Sequence, residues 1–229
     1  MATIDLALPF TLPFEGGFTN NPNDPGGATY AGITLETLRR HHGDIDHDGV
    51  IDENDVKLLQ QHAEMVEQIY REDYWPSEYD QLVNQPVATK LFDCGVNMGL
   101  LTAGTLAQKE VAALGGRVSI DGHVGMLTVI AMNNCDPVKF LFGFAQQMGD
   151  HYWNIVKSQI QARAVTPFND KPALGWNAQQ QAAALDAISR RDQAHLGQVL
   201  HSLSPAAKPG LAVFMPGWLR RANAIPQES

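Results

Sequence analysis

Along the 229-residue chain, apolar positions recur mostly at three- and four-residue spacing, the period of an amphipathic helix. Val56, Leu59, Ala63, Val66 and Ile69/Tyr70 fall on one face and predict a helix over 54–74, stopped by Pro76. A second helix starts at Pro86, a favourable first-turn position. It turns Val87, Leu91, Cys94 and Met98 inward and runs into Gly99. A further helix continues to about Leu114 and ends at Gly115–Gly116. Helical patterns resume over 126–134 and 136–163, and Leu185, Ile188, Leu196, Val199, Leu200 and Leu203 predict one or two more. Thr34 reads as the N-cap of a short helix over LETLRRHH.

The segments between are rich in turn formers. Residues 15–34 hold Gly, Asn, Asp, Pro and Thr, so any sheet is a small hairpin there. Residues 44–55 and 164–176 read as loops, 117–125 as a turn-rich connection, and the end as a Pro/Gly-marked tail closing on FMPGWLRRAN. The first fourteen residues, MATIDLALPFTLPF, contain two prolines and no Lys or Arg. They read as an extended arm and not as a signal peptide. With no internal repeat or low-complexity linker, the chain reads as one mostly α domain over 1–229, with 164–213 an extra helical insertion.

Composition narrows the function classes. Hydrophobic residues at 44% and charged residues at 18% suit a folded chain. No apolar run approaches the roughly 20 residues that span a bilayer. A net charge of −9 argues against nucleic acid, which needs a basic footprint. Cys94 and Cys135 sit in apolar, helix-like contexts without zinc-ligand spacing and read as buried free thiols. His41–His42 lacks a third ligand at useful spacing. With no zinc pattern and no Cys/His pair, a hydrolase acting on peptide bonds is disfavoured.

One stretch carries candidate acid chemistry: EGGFTNNPNDPGGATYAGIT, with Glu15, Asp24 and Thr29. Cleaving a glycosidic bond takes a carboxylic acid to protonate the leaving oxygen. An inverting enzyme also needs a group that activates water on the opposite sugar face, the two carboxyls standing about 6.5–9.5 Å apart. Glycines 16, 17, 26 and 27 would let the backbone turn tightly beside a sugar. Phe14, Phe18 and Tyr30 are the candidate apolar wall around Glu15. The same spacing also fits a helix cap, a turn residue and solvated surface.

The run Glu15-Gly16-Gly17-Phe18, then Asn20, Asp24, Gly26-Gly27, Thr29 and Gly32-Ile33-Thr34, resembles the opening signature of glycoside hydrolase family 108. These are lysozyme-like muramidases often found as phage endolysins. YREDYW at 70–75, NQPVATKLFDCGVNMG at 84–99, VSIDGHVGMLT at 118–128 and the closing GWLRR at 217–221 are similar too. The resemblance covers roughly residues 14–163 and the last stretch. It implies a lysozyme-like fold with a small N-terminal active-site lobe, a larger helical lobe and a cleft between. It implies Glu15 as catalytic acid and Asp24 and Thr29 as the residues that position water, although Asp24 and Thr29 stand one residue closer than in the well-known phage pattern. The bond implied is β-1,4 between N-acetylmuramic acid and N-acetylglucosamine. Tyr30 and Asn97 are candidate sugar contacts, Asn97 equally a buried structural amide. Trp75 and Trp153 could stack on sugar, but aromatics at helix ends are more often core. The expected partner is peptidoglycan, met by a monomer that does not enter the membrane, waits in the host cytoplasm and acts in the periplasm.

A second stretch, DIDHDGVIDEND, concentrates six acids in residues 44–55, and most of the net charge resides there. Asp44, Asp46 and Asp48 occupy positions 1, 3 and 5 of a calcium loop, Gly49 the sharp turn at 6, the Val50 carbonyl 7, Asp52 9 and Asp55 12. This resembles an EF-hand or dockerin-type loop and predicts structural, not catalytic, Ca²⁺. Asp55 stands where Glu is usual. A solvated acidic turn is the plain alternative. A calcium-dependent binding module without catalysis is the rival function, but dockerins carry two such loops in a shorter domain.

Overall fold

In this computed structural model the described residues are 1–20, 27–165, 178–201 and 215–227. They are mostly α-helical, with one small antiparallel sheet. By its internal packing the chain divides into two units: Met1–Phe144 with Ile225–Ser229, and Ala145–Ala224.

The first unit is built around α5 (Gln85–Met98), whose residues Pro86 through Gly95 are all buried. Asn84 caps it, its Oδ1 accepting the Val87 N–H at 3.0 Å, with Pro86 in the first turn. α1 (Ile4–Glu15) lies along one side of α5 and α6 (Leu100–Ala113) along another. α1 and α5 run parallel and in step. The Thr3 N–H donates to Gln85 Oε1 at 2.8 Å, and Gln85 Nε2 donates back to the Thr3 carbonyl. Two turns further on, the Thr11 hydroxyl donates to Asp93 Oδ1 at 3.3 Å. Each of these pairs is 82 residues apart in sequence. Fully buried Lys90 lies 3.6 Å from Asp93 Oδ2, with its ammonium over the Phe10 ring.

α1 replaces the extended arm expected for the first fourteen residues. Pro9 and Pro13 each withhold a helical N–H, but Ile4, Ala7, Leu8 and Thr11 recur at helical spacing and are buried. Thr3 caps the start by accepting from the Asp5 N–H. Burial of that stripe outweighs the proline penalty of roughly 3 kcal/mol each.

The expected 54–74 helix is interrupted. α3 (Glu53–Leu58) passes into a 3-10 turn (Leu59–Gln61), and His62 leaves helical geometry before α4 (Ala63–Tyr74) begins. Val56, Leu59, Val66, Ile69 and Tyr70 are buried as predicted, whereas the break turns Ala63 outward. α2 (Leu35–Arg40) starts at Thr34, whose hydroxyl accepts the Thr37 N–H. Trp75 is core, donating to Asp80 and meeting Phe92 edge-on. Cys94 is a buried free thiol and Cys135 a half-buried one; Met98 is likewise only half-buried.

Residues 117–125 connect α6 to α7 (Met126–Asn133) and are pinned by buried Gln108. Its amide donates to Asp121 Oδ1, the His123 carbonyl and Thr128 Oγ1, and its oxygen accepts the Asp121 and Gly122 N–H groups. α8 (Pro137–Val165) follows.

In the second unit, α9 (Ala178–Ser189) and α10 (Gln193–His201) pack together through Ala184, Ala187, Ile188, Leu196 and Val199. Trp153 is buried there, and Tyr152 stacks on Trp218 of α11 (Met215–Asn223), so the expected Pro/Gly-marked tail is helical from Met215 to Asn223, while its residues before 215 lie outside the described ones. The loop expected over 164–176 lies outside the described residues from 166 onward; 164 and 165 complete α8. Among the described residues, no helix is long and apolar enough to cross a membrane.

Two outcomes are expected in denaturant unfolding. Asp93→Ala strands the buried Lys90 ammonium and lowers stability by about 3–5 kcal/mol. Pro9→Ala restores a donor for the Asp5 carbonyl at an exposed position and raises stability by about 1–2 kcal/mol, read as a higher midpoint.

Candidate active site

Glu15 is the last residue of α1, and Gly16, at φ 80°, turns the chain out of the helix. A three-stranded sheet follows: β1 (Thr19–Asn20), β2 (Ala28–Tyr30) and β3 (Ile33–Thr34), all antiparallel. Thr19 faces Thr29, and Thr29 faces Thr34; Ala28 faces Asn20, and Tyr30 faces Ile33. Because strand side chains alternate, the three threonines share one face and Ala28, Tyr30 and Ile33 the other. Ala28 and Ile33 are buried, which identifies the second face as the core side. On the first, the Thr19 and Thr29 hydroxyls share a hydrogen bond at 2.8 Å.

Thr29 and Tyr30, both candidate site residues, therefore point to opposite faces. Tyr30 lines a cavity of about 310 Å³ with Gly16, Ala31, Leu8, Leu12 and Val66. Asp24 lies outside the described residues, and with it the separation of the two carboxyls. Of the apolar wall expected from Phe14, Phe18 and Tyr30, Phe14 instead packs its ring against Phe10.

Glu15 meets the β2–β3 turn. Ala31 and Gly32 both have positive φ, 48° and 71°, the two-residue turn whose twist matches a hairpin. A Cβ on Gly32 would lie 3.0 Å from Glu15 Oε2 and 3.5 Å from the Tyr70 hydroxyl. Buried Tyr70 donates its hydroxyl to the Ala31 carbonyl at 2.7 Å. Tyr74, one turn on, stands within electrostatic reach of Glu15. Burial pushes its hydroxyl above the ordinary tyrosine range, and the negative charges of Asp73 and Glu15 add to the effect.

Asn97 follows from the step between α1 and α5. The offset that pairs Thr3 with Gln85 and Thr11 with Asp93 brings Glu15 level with Asn97. With about 1.5 Å of rise per residue in both helices, the two side chains leave the same end of the pair.

His41, considered in the sequence only as a zinc ligand, joins α2 to α4. Its ring nitrogens stand 2.9 Å from Glu72 Oε2 and 3.1 Å from Asp73 Oδ1, and Arg40 pairs with Asp73 as well. Gly32, Tyr70 and Tyr74 were visible only as a motif residue, a core position and a helix end. Nothing in their local sequence marks nearness to Glu15, because Glu15 ends α1 whereas Gly32 comes from the β2–β3 turn and both tyrosines from α4.

The acidic loop gathers Asp44, Asp46 and Asp48, with one oxygen of each within 4.8 Å of the others. Asp44 Oδ2 accepts the Gly49 N–H, joining positions 1 and 6. Asp44 Oδ1 is buried and, among the described residues, has no hydrogen-bond donor, as suits an oxygen facing a cation. Asp52 and Asp55 are placed differently. Asp52 caps α3 through the Asn54 N–H, and fully buried Asp55 accepts the N–H groups of Ile45, Asp46 and Asp52. Val50 is exposed and donates its N–H to Asp48. The loop is tied to the hairpin by Asn20, which donates to Glu53 Oε2 at 2.6 Å, and by packing of α3 on β2.

Comparison with known proteins bears on the same region. The family model described as Glycosyl hydrolase 108 matches residues 8–99, which contain Glu15, the hairpin, the acidic loop and α5. This supports glycoside hydrolase chemistry for that part of the chain. No curated protein matches. Among solved structures, one titled "Structure of Brucella abortus SagA" is 24% identical, covering 83% of this chain and 93% of that one, with a TM-score of 0.46.

Proposed function

We propose that this protein is a lysozyme-like peptidoglycan hydrolase, an endolysin, that cleaves the β-1,4 bond between N-acetylmuramic acid and N-acetylglucosamine. The observation that carries the reading is the setting of Glu15. A carboxyl at a helix end is seated against Gly32, the turn residue that has no side chain, level with Asn97 and inside the stretch matched by the glycosyl hydrolase family. Glu15 donates its proton to the glycosidic oxygen as the bond to the anomeric carbon breaks. Asp24 and Thr29 hold the water that attacks that carbon, with the Thr19 hydroxyl fixing the rotamer of Thr29. Asn97 and Tyr30 contact the sugar.

Ca²⁺ is proposed as a structural ion held by Asp44, Asp46 and Asp48, with the Val50 carbonyl and Asp52 completing the set. Asp55 closes the loop on backbone amides and stands by the ion from position 12. The ion supplies charge compensation for the acids, and the reaction at Glu15 does not pass through it. Its support is the orphaned Asp44 oxygen and the 1-to-6 hydrogen bond.

Turbidity loss of outer-membrane-permeabilised Gram-negative cells tests the enzyme. Wild type should lyse them, and Glu15→Gln should lower the rate at least about 100-fold with its fold intact. Lysis at the wild-type rate by Glu15→Gln overturns the assignment, and a folded wild type that never lyses points to the calcium-dependent binding module. For the ion, thermal unfolding in EGTA and then in excess Ca²⁺ should show a higher Tm with calcium. Occupancy at 100 times Kd stabilises by about 2.7 kcal/mol, and an unchanged Tm removes the ion.

A further inference from the structure

Taking Glu15 as the acid, as proposed above, we infer that Tyr70 is its positioning residue, acting through the Ala31–Gly32 turn. The inference rests on a line of contacts that begins in the most buried helix. Phe92, fully buried on α5, meets the Tyr70 ring edge-on with centroids 6.1 Å apart. Tyr74 flanks the same ring at 5.8 Å. Held in this way, Tyr70 directs its hydroxyl to the Ala31 carbonyl. The next residue, Gly32, brings its backbone against Glu15, where an added Cβ would stand 3.0 Å from Oε2.

The turn needs this anchor. Ala31 is not glycine, yet its φ is 48°, a left-handed conformation that the Cβ of any other residue disfavours. A two-residue turn strained in this way relaxes when its restraint is removed. Relaxation draws Gly32 away from Glu15, and the carboxyl gains room to rotate. A general acid that wanders by about 1 Å can lose on the order of 100-fold in rate. Tyr30 stays paired with Ile33 at the base of the turn and Asn97 stays on α5, so the contacts that hold the sugar away from the reacting oxygen remain in place. The hydroxyl of Tyr70 therefore acts on kcat, through the turn, without touching substrate. Gly32 is the second half of the device, since any side chain there would press on Oε2.

The test uses the full chain with soluble glycan strands released from peptidoglycan, together with amide hydrogen exchange at Gly32 and Ile33. Tyr70→Phe keeps the ring and removes only the hydroxyl. Its kcat should fall about 10- to 100-fold with KM within about twofold of wild type, and exchange at Gly32 and Ile33 should quicken while α5 stays protected. A wild-type kcat, or a loss confined to KM, overturns the inference. Gly32→Ala, with Tyr70 intact, should also lose kcat; a wild-type kcat there overturns it even if Tyr70→Phe does not fold. Glu15→Gln runs beside them. If that variant keeps full activity, the reading of Glu15 as acid falls, whereas exchange at the turn still decides whether Tyr70 holds it.

Discussion

The parallel seating of α1 on α5 sets the frame for everything near Glu15. Apolar ridges alone let two helices slide by a fraction of a turn at small cost. Here polar pairs stand at both levels of the contact: Thr3 with Gln85, and Thr11 with Asp93. Asp93 also faces Lys90, and both are fully buried. A slip of one turn, about 5.4 Å, would break these bonds together and leave charge in an apolar interior. The register is thus held by groups whose misplacement is expensive, and the end of α1 comes to rest level with Asn97.

From that fixed end the hairpin inherits its place. Ala28 and Ile33 bury one face of the sheet, which leaves the threonine face outward and sets the Ala31–Gly32 turn against Glu15. Tyr70 approaches from α4 and closes the arrangement. The acidic loop belongs to the same assembly. Arg39 of α2 donates to the Ile51 carbonyl at the loop's far side, and Glu53, first in α3, receives Asn20 from β1. A disturbance of the loop reaches the hairpin through α3, so order in one supports order in the other.

The helices with strong period were legible, because burial of a stripe is a local property of spacing. α5, α6, the paired α9 and α10, and the Thr34 cap stand where their patterns placed them. The N-terminal segment was not legible. Two prolines speak locally against a helix, and only the buried groove along α5 makes Ile4, Ala7, Leu8 and Thr11 worth ordering. The break at His62 escaped for a related reason: the apolar face carries on through it, while the backbone does not.

For the site, the sequence by itself determined which residue types are present and in what order: a Glu before a glycine-rich hairpin, and acids at calcium-loop spacing. Tertiary structure decided which of them meet. Strand alternation in the folded hairpin sends Thr29 and Tyr30 to opposite faces. The backbone amides of Ile45, Asp46 and Asp52 hold the buried Asp55 carboxylate between the start of the loop and the start of α3, while Asp44, Asp46 and Asp48 gather their oxygens together. Gly32, 17 positions beyond Glu15, comes to lie against its carboxyl, and Tyr70, 55 positions beyond, holds the turn that carries Gly32. Spacing along a chain reports the faces of single elements. Contact between elements depends on how buried surfaces and buried polar pairs fit together, and that fit exists only in the folded state.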